Sequence, residues 1–315
     1  MKKLAICFAG QGSQYQGMAL DYITSNPTYE AFASKASSLL GYDVKNILTS
    51  EHGEINDTLY TQPMILLHSI LAYEAFLQLN VNVDATLGFS LGEYSALYAS
   101  GIFNFEEIIK LIDLRSKHMK DCAKKNPGKM AAILGLSSGV VDQVCMKASD
   151  PNQNVVSANY NSPIQTVISG DESAVLKAIE IAKEKGAKRA MMLNVSGAFH
   201  SPLMAEAKIN FLKDLENYQG NEPKFPIYMN KTAKPLNASK LHVLMADHIV
   251  SPVLFEPSIR HMIEDGITHF VEIGPGRVLS GLIQKIDPNV SVTNLDRFSD
   301  LEDLKGWLEN HGFKK

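Results

Sequence analysis

The segment Gly88-Phe89-Ser90-Leu91-Gly92 sets a serine between two glycines. That spacing commits this part of the chain to a strand, a sharp turn and a helix. The first glycine lets the strand turn, the serine takes a strained backbone, and the second glycine lets the helix pass close. The flanks agree. Val83-Asp84-Ala85-Thr86-Leu87 is short and apolar-leaning, as a strand would be. Leu91 to Ala99 reads as the helix, with Glu93 in a first turn where the helix dipole favours an anion. A serine hydroxyl is a poor nucleophile unless a base stands beside it. His200, in Ala198-Phe199-His200-Ser201-Pro202, is the best candidate for that base. The pair predicts an acyl-group enzyme; the glycines and serine alone would also suit an ordinary turn.

Strand and helix alternate around this point. Leu4 to Ala9 is predicted as the first strand, and Pro63 to Leu79 as a helix by the period of Met64, Leu67, Leu71 and Ala75. Asn104 caps a further helix, with Glu106 and Glu107 in its first turn. Such alternation predicts a parallel sheet covered on both faces. At 315 residues the chain suits one large domain, or one and a half.

In the helix from Phe105 to about Lys124, Ile108, Ile112, Met119 and Cys122 step by fours and threes. Arg115 fills the gap in that series. It therefore falls on the buried stripe, away from Lys110, Asp113, Lys117 and Lys120. A cation there needs an anion. A core Glu or Asp would serve, or the guanidinium could snorkel out. The other choice is a substrate carboxylate held in bidentate fashion.

After Asn126-Pro127-Gly128 the character changes. Met130 to Leu136 is a strand, Ser138 to Ala148 a helix, and Asn154 to Ala158 a strand. Asn161-Ser162-Pro163 is a turn, and Gln165 to Ser169 is the partner strand. Asp171 opens a helix running to Lys185, and Lys188 to Val195 is the last strand. The order βαββαβ is the ferredoxin-like arrangement. It predicts a small domain at 126–197 inserted in a large domain made of 1–125 and 198–315. His200 follows at its exit, ahead of Ser201 as N-cap and Pro202 as first residue of a helix from Leu203 to Tyr218. The dipole there disfavours imidazolium and keeps the ring able to accept a proton. The chain closes with a strand at Ile267–Ile273, a Gly274-Pro275-Gly276 loop, a helix from Arg277 to Ile286, and an amphipathic helix bearing Leu301, Leu304 and Trp307.

Charge and cysteines narrow the setting. The net charge of −4 argues against nucleic acid as a partner, though a local basic face for an acidic partner stays open. Cys7, Cys122 and Cys145 are odd in number and far apart, with no metal-ligand spacing, so no metal is expected and a reducing, cytoplasmic setting fits. The apolar start is too short for a leader, and no run approaches a membrane helix. A monomer is the default expectation.

Five ordered motifs now stand together: Gly10-Gln11-Gly12-Ser13-Gln14, Gly88-Phe89-Ser90-Leu91-Gly92-Glu93-Tyr94, Arg115, Gly197-Ala198-Phe199-His200, and Glu272-Ile273-Gly274-Pro275-Gly276. In this set the chain resembles the malonyl-CoA:acyl carrier protein transacylases of bacterial fatty acid synthesis, over essentially its whole length. The resemblance implies an α/β-hydrolase-like large domain with a ferredoxin-like insertion. It implies malonyl-CoA as donor, holo-acyl carrier protein as acceptor, and no cofactor. Ser90 is then the nucleophile, His200 its base and acid, and the backbone amides of Gln11 and Leu91 the oxyanion hole. Arg115 is the carboxylate clamp. Phe199 resembles the residue that marks malonyl-preferring members, and Met119 and Val278 would line the acyl pocket.

Three positions depart from the family. Phe89 stands where His is common, and Phe255 where Trp is usual. His248 stands where Gln is frequent and is counted with the substrate-binding set; in the family that residue's backbone carbonyl orients the catalytic histidine. A carbonyl survives the change, so no acidic third member is required. Lys183, Lys185, Lys188, Arg189 and Lys285 are candidate contacts for the carrier's acidic helix or for coenzyme A phosphates, or else a solvated face.

Other readings are separable. A hydrolase or thioesterase on the same scaffold would pass the acyl group to water, but one acting on neutral acyl groups has no use for a buried Arg115. A dinucleotide loop at Gly10-x-Gly12 lacks its third glycine, since Tyr15 holds that position. A non-catalytic binding domain would survive loss of Ser90 and His200.

Overall fold

A computed structural model describes residues 2–313. Its strands are β1 (Leu4–Phe8), β2 (Ala85–Gly88), β3 (Lys129–Leu134), β4 (Val155–Ser162), β5 (Gln165–Gly170), β6 (Arg189–Met192), β7 (Ile227–Met229), β8 (Lys234–Pro235), β9 (His269–Ile273) and β10 (Ser291–Leu295). Six form one sheet in the order β10-β9-β1-β2-β7-β8. All pairs in it are parallel except the short return of β8 onto β7. Every residue of β1 is buried. Leu4, Ile6 and Phe8 feed one core, while Ala5 and Cys7 feed the other. A continuous apolar strand with both faces covered is what a parallel sheet requires.

The register gathers three loops. Phe8 pairs with Gly88 on one side and with Ile273 on the other. The segments after β1, β2 and β9 therefore leave the sheet side by side at its carboxyl edge. These are Gly10-Gln11-Gly12, the serine turn and Gly274-Pro275-Gly276. Ligands of parallel α/β sheets bind at such an edge.

The remaining strands form a separate antiparallel sheet in the order β4-β5-β3-β6. Its helices, Ser138–Ala148 and Glu172–Glu184, pack on Ala131, Ile133 and Ile168. The opposite face presents Met130, Ala132 and Val167 to the larger core. The α/β architecture, a parallel core with a separate antiparallel sheet, is as expected. One strip of chain joins the two sheets. Val253 N donates to Ala158 O at 2.8 Å, and Tyr160 N donates to Val253 O at 2.9 Å. No helix among the described residues is long and apolar enough to cross a membrane.

Several boundaries differ from expectation. The helix expected from Pro63 runs from Thr58 to Leu77, with Pro63 inside it. Asp57 caps it by accepting from Leu59 N, and that cap outweighs the proline as a start signal. Asn161 and Ser162 belong to β4 rather than to a turn. Ser201 does cap, accepting from Leu203 N, but the first turn is a 3₁₀ segment, Pro202–Met204, and the α-helix covers Ala205–Leu215. β2 starts at Ala85 rather than Val83, and β6 ends at Met192 rather than Val195.

Candidate active site

Glycine is obligatory on both sides of Ser90. A Cβ on Gly88 would lie 1.9 Å from the Gly92 carbonyl carbon, and one on Gly92 would lie 2.3 Å from Phe8 O. Strand, turn and helix thus interlock with no room for side chains. Ser90 sits at φ +52°, a left-handed conformation that costs a serine on the order of 1–3 kcal/mol. Buried Asn230, just after β7, holds it there. Its Oδ1 accepts from Ser90 N at 2.8 Å and its Nδ2 donates to Gly88 O at 2.6 Å. Its own N donates to Glu93 Oε2 at 2.7 Å. Glu93, expected only as a first-turn anion, is thereby part of the clamp.

His200 also has a positive φ, +57°. Its Nε2 lies 2.8 Å from Ser90 Oγ. Its Nδ1 faces two carbonyls, His248 O at 2.9 Å and Ser251 O at 3.0 Å. Carbonyls only accept, so Nδ1 carries the proton and Nε2 is left bare toward the hydroxyl. Burial holds the ring's pKa well below a histidine's usual value, with the neighbouring His248 and Arg115 acting in the same direction and the two carbonyls against it. The ring is therefore neutral at neutral pH, with Nε2 able to accept a proton. No carboxylate is needed to fix the tautomer.

Arg115 is 1% exposed. Its Nη1 donates to Gln62 Oε1 and its Nη2 lies 3.5 Å from Ser90 Oγ. The guanidinium stands 5.4 Å from the Tyr94 ring. Its Nε has no partner among the described residues, and no carboxylate there pairs with the side chain. Buried Glu93 acts on it only through space, and no core carboxylate reaches ion-pair distance among the described residues. An uncompensated buried charge costs several kcal/mol, so a site that keeps one is built for an anion that arrives.

These groups line a cavity of about 200 Å³. Gln11, Met119, Phe199 and Val278 line it with Ser90, Arg115 and His200, and Asn159, Asn161 and Gln165 close it from the small sheet. Phe89 lines it too and packs edge-on against Phe255, ring centroids 5.4 Å apart, so two of the three departures from the resembled pattern touch each other. Leu91 is buried. Among the described residues, neither its amide nor that of Gln11 donates to any group. Lys183, Lys185, Lys188, Arg189 and Lys285 are all exposed. No cluster among the described residues could hold a metal ion.

His248 needs correction. It does not line the cavity. Its ring is buried behind His200, centroids 5.1 Å apart, with Nδ1 3.3 Å from Glu93 Oε1. It enters the site through its carbonyl, not through contact with substrate. Residue patterns did not point to Asn230, Gln62 or Ser251 at all. An asparagine ending a strand was the only available signal for the first.

Burial lowers the pKa of His68 and His269 as well as His200. The folded state then binds fewer protons than the unfolded chain below a histidine's usual 6.5. Stability is therefore full above that pH and declines as pH falls through it. Thermal unfolding between pH 7.5 and 5.0 should show the midpoint dropping on the acid side; a flat profile would contradict neutral burial of these rings.

A bare imidazole nitrogen on a serine and a buried guanidinium without an ion-pair partner at one cavity equip the site for acyl transfer with an acyl group that carries a carboxylate. Comparison with known proteins agrees. Residues 6–294 match the acyl transferase domain family. A malonyl CoA-acyl carrier protein transacylase of Staphylococcus aureus (strain COL) is 38% identical over 312 residues, 98% of this chain and 100% of that protein. The solved structure of MCAT from Streptococcus pneumoniae is 38% identical, with a TM-score of 0.92 over 97% of this chain and 100% of the other. A chain from the solved complex of a type II PKS acyl-carrier protein with its malonyl-transacylase is 34% identical, with a TM-score of 0.93 over 98% of this chain and 100% of that one.

Proposed function

We propose how a chain that belongs to the acyl transferase family, among the malonyl CoA-acyl carrier protein transacylases, moves a malonyl group from malonyl-CoA to the phosphopantetheine thiol of holo-acyl carrier protein. Ser90 Oγ attacks the thioester carbonyl while its proton passes to His200 Nε2. The amides of Gln11 and Leu91 receive the negative charge that develops on the carbonyl oxygen. Collapse expels the coenzyme A thiolate, which takes the proton from His200, and malonyl-Ser90 remains. The carrier thiol then gives its proton to His200 and attacks the ester, and the steps run in reverse.

Throughout, the malonyl carboxylate pairs with Arg115, with Met119, Phe199 and Val278 around the acyl chain. The bulk of Phe199 beside His200 excludes a branched methyl group. Residues 126–197 act as the small domain over the cavity, and 1–125 with 198–315 as the large one. The enzyme works as a cytoplasmic monomer without a cofactor. Its exposed Lys183, Lys185, Lys188, Arg189 and Lys285 meet the acidic carrier or the coenzyme A phosphates.

One observation carries this: Ser90 Oγ stands 2.8 Å from a bare imidazole nitrogen and 3.5 Å from a buried guanidinium that lacks an anion. The same cation separates transfer from hydrolysis of neutral acyl esters. Intact-protein mass spectrometry after malonyl-CoA should find one malonyl group, mapped to the Ser90 peptide and discharged only when holo-acyl carrier protein is added. Release of free malonate without a carrier would make the enzyme a hydrolase instead.

A further inference from the structure

A file of polar side chains leaves Arg115 and runs behind the cavity wall. Arg115 Nη1 donates to Gln62 Oε1. Gln62 Nε2 donates to Thr58 Oγ1 at 3.0 Å. Thr58 Oγ1 donates in turn to Gln11 Oε1 at 3.3 Å. Thr58 and Gln62 are wholly buried and lie one turn apart on the helix Thr58–Leu77. Asp57 caps that helix and also holds Lys120 Nζ at 2.6 Å, which pins its start.

The polarity of the file is forced. A guanidinium only donates, so Gln62 must turn its oxygen to Arg115 and its amide nitrogen to Thr58. The Thr58 oxygen is then used as an acceptor, and its proton goes on to Gln11. The other contact of the Gln62 nitrogen is Met119 Sδ at 3.7 Å, a weak acceptor. Thr58 therefore holds Gln62 the right way round. Inverted, that amide would set two donors face to face at Arg115. The far end of the file is the side chain of Gln11, a residue that lines the cavity.

We propose that Thr58 is a positioning residue that ties the carboxylate clamp to the Gln11 loop, so that selection of a carboxylate-bearing acyl group depends on its hydroxyl. This deepens the malonyl-transfer role above and rests on it. The hydroxyl touches no substrate; it acts through Gln62 on Arg115 and directly on Gln11.

The test compares Thr58→Val and Thr58→Ser with the parent in single-turnover acylation of Ser90 by malonyl-CoA and by acetyl-CoA. Thermal unfolding checks that each variant folds. Valine keeps the shape and deletes the hydroxyl, and serine keeps the hydroxyl. The malonyl-to-acetyl ratio should fall about tenfold in Thr58→Val, which is what misplacing one hydrogen bond to a charged group is worth, and stay at the parent value in Thr58→Ser. The loss should lie in the acylation rate constant rather than in KM. An unchanged ratio in Thr58→Val, at whatever absolute rate, overturns the proposal. So does an equal fall in Thr58→Ser, because the methyl group and not the hydroxyl would then matter. A parent that forms no malonyl ester fails the malonyl-transfer role itself, and does so before any variant is compared.

Discussion

Ser90→Ala and His200→Ala each slow malonyl transfer by roughly 10³-fold or more, and the double variant is hardly slower than either single one, because nucleophile and base act as a unit. Without Ser90 no ester forms. Without His200 the hydroxyl keeps its proton, and no other group is placed to take it. Besides Nε2, its one other hydrogen-bond contact among the described residues is Arg115 Nη2 at 3.5 Å, which cannot accept. Both variants stay folded. Neither side chain contributes to the apolar cores, and the turn is held by Asn230 through backbone atoms that alanine retains. Near-identical circular dichroism with abolished acylation is the expected outcome. A His200→Ala enzyme still acylated by malonyl-CoA near the parent rate would remove the histidine from the chemistry.

Arg115→Ala loses malonyl transfer by about 10²–10³-fold, the cost of leaving a desolvated carboxylate without its partner. Acetyl transfer has no such partner to lose, so it changes little and the preference between donors shrinks or inverts. Arg115→Lys separates charge from shape. An ammonium restores the charge but cannot hold Gln62 and a carboxylate in one plane, so recovery should be partial. The readout is the ratio of acylation rates for malonyl-CoA and acetyl-CoA at Ser90. An alanine variant that keeps the parent ratio would mean that the carboxylate sits elsewhere.

What was legible in the residues follows from how locally each feature is encoded. The serine turn is a five-residue motif whose glycines are required by contacts within it and with β1, so it could be recognised outright. Arg115 announced itself by interrupting an apolar period of three and four. The alternation of strand and helix gave the parallel sheet, and the βαββαβ order gave the antiparallel one. Asn230 was invisible because its partners lie 140 and 142 positions away, and an isolated asparagine at a strand end has no periodic signature. Gln62 and Thr58 were hidden by the start of their helix, where Pro63 marked a false beginning and the Asp57 cap the true one. Asn161 and Ser162 read as a turn because they are polar; they are strand residues, and Asn161 lines the cavity. His248 was counted with the substrate-binding set, but it acts through the carbonyl that the resemblance had already singled out.

The strip from Ser251 to Val253 has a consequence for anyone who would rebuild this enzyme. The Ser251 carbonyl helps anchor the imidazole at one end, and at the other its backbone is laced to β4. A chimaera that imports a foreign insert to change donor choice therefore also resets the aim of the general base. Such transplants should succeed only when residues 251–253 travel with the insert, as one graft taken from the same source.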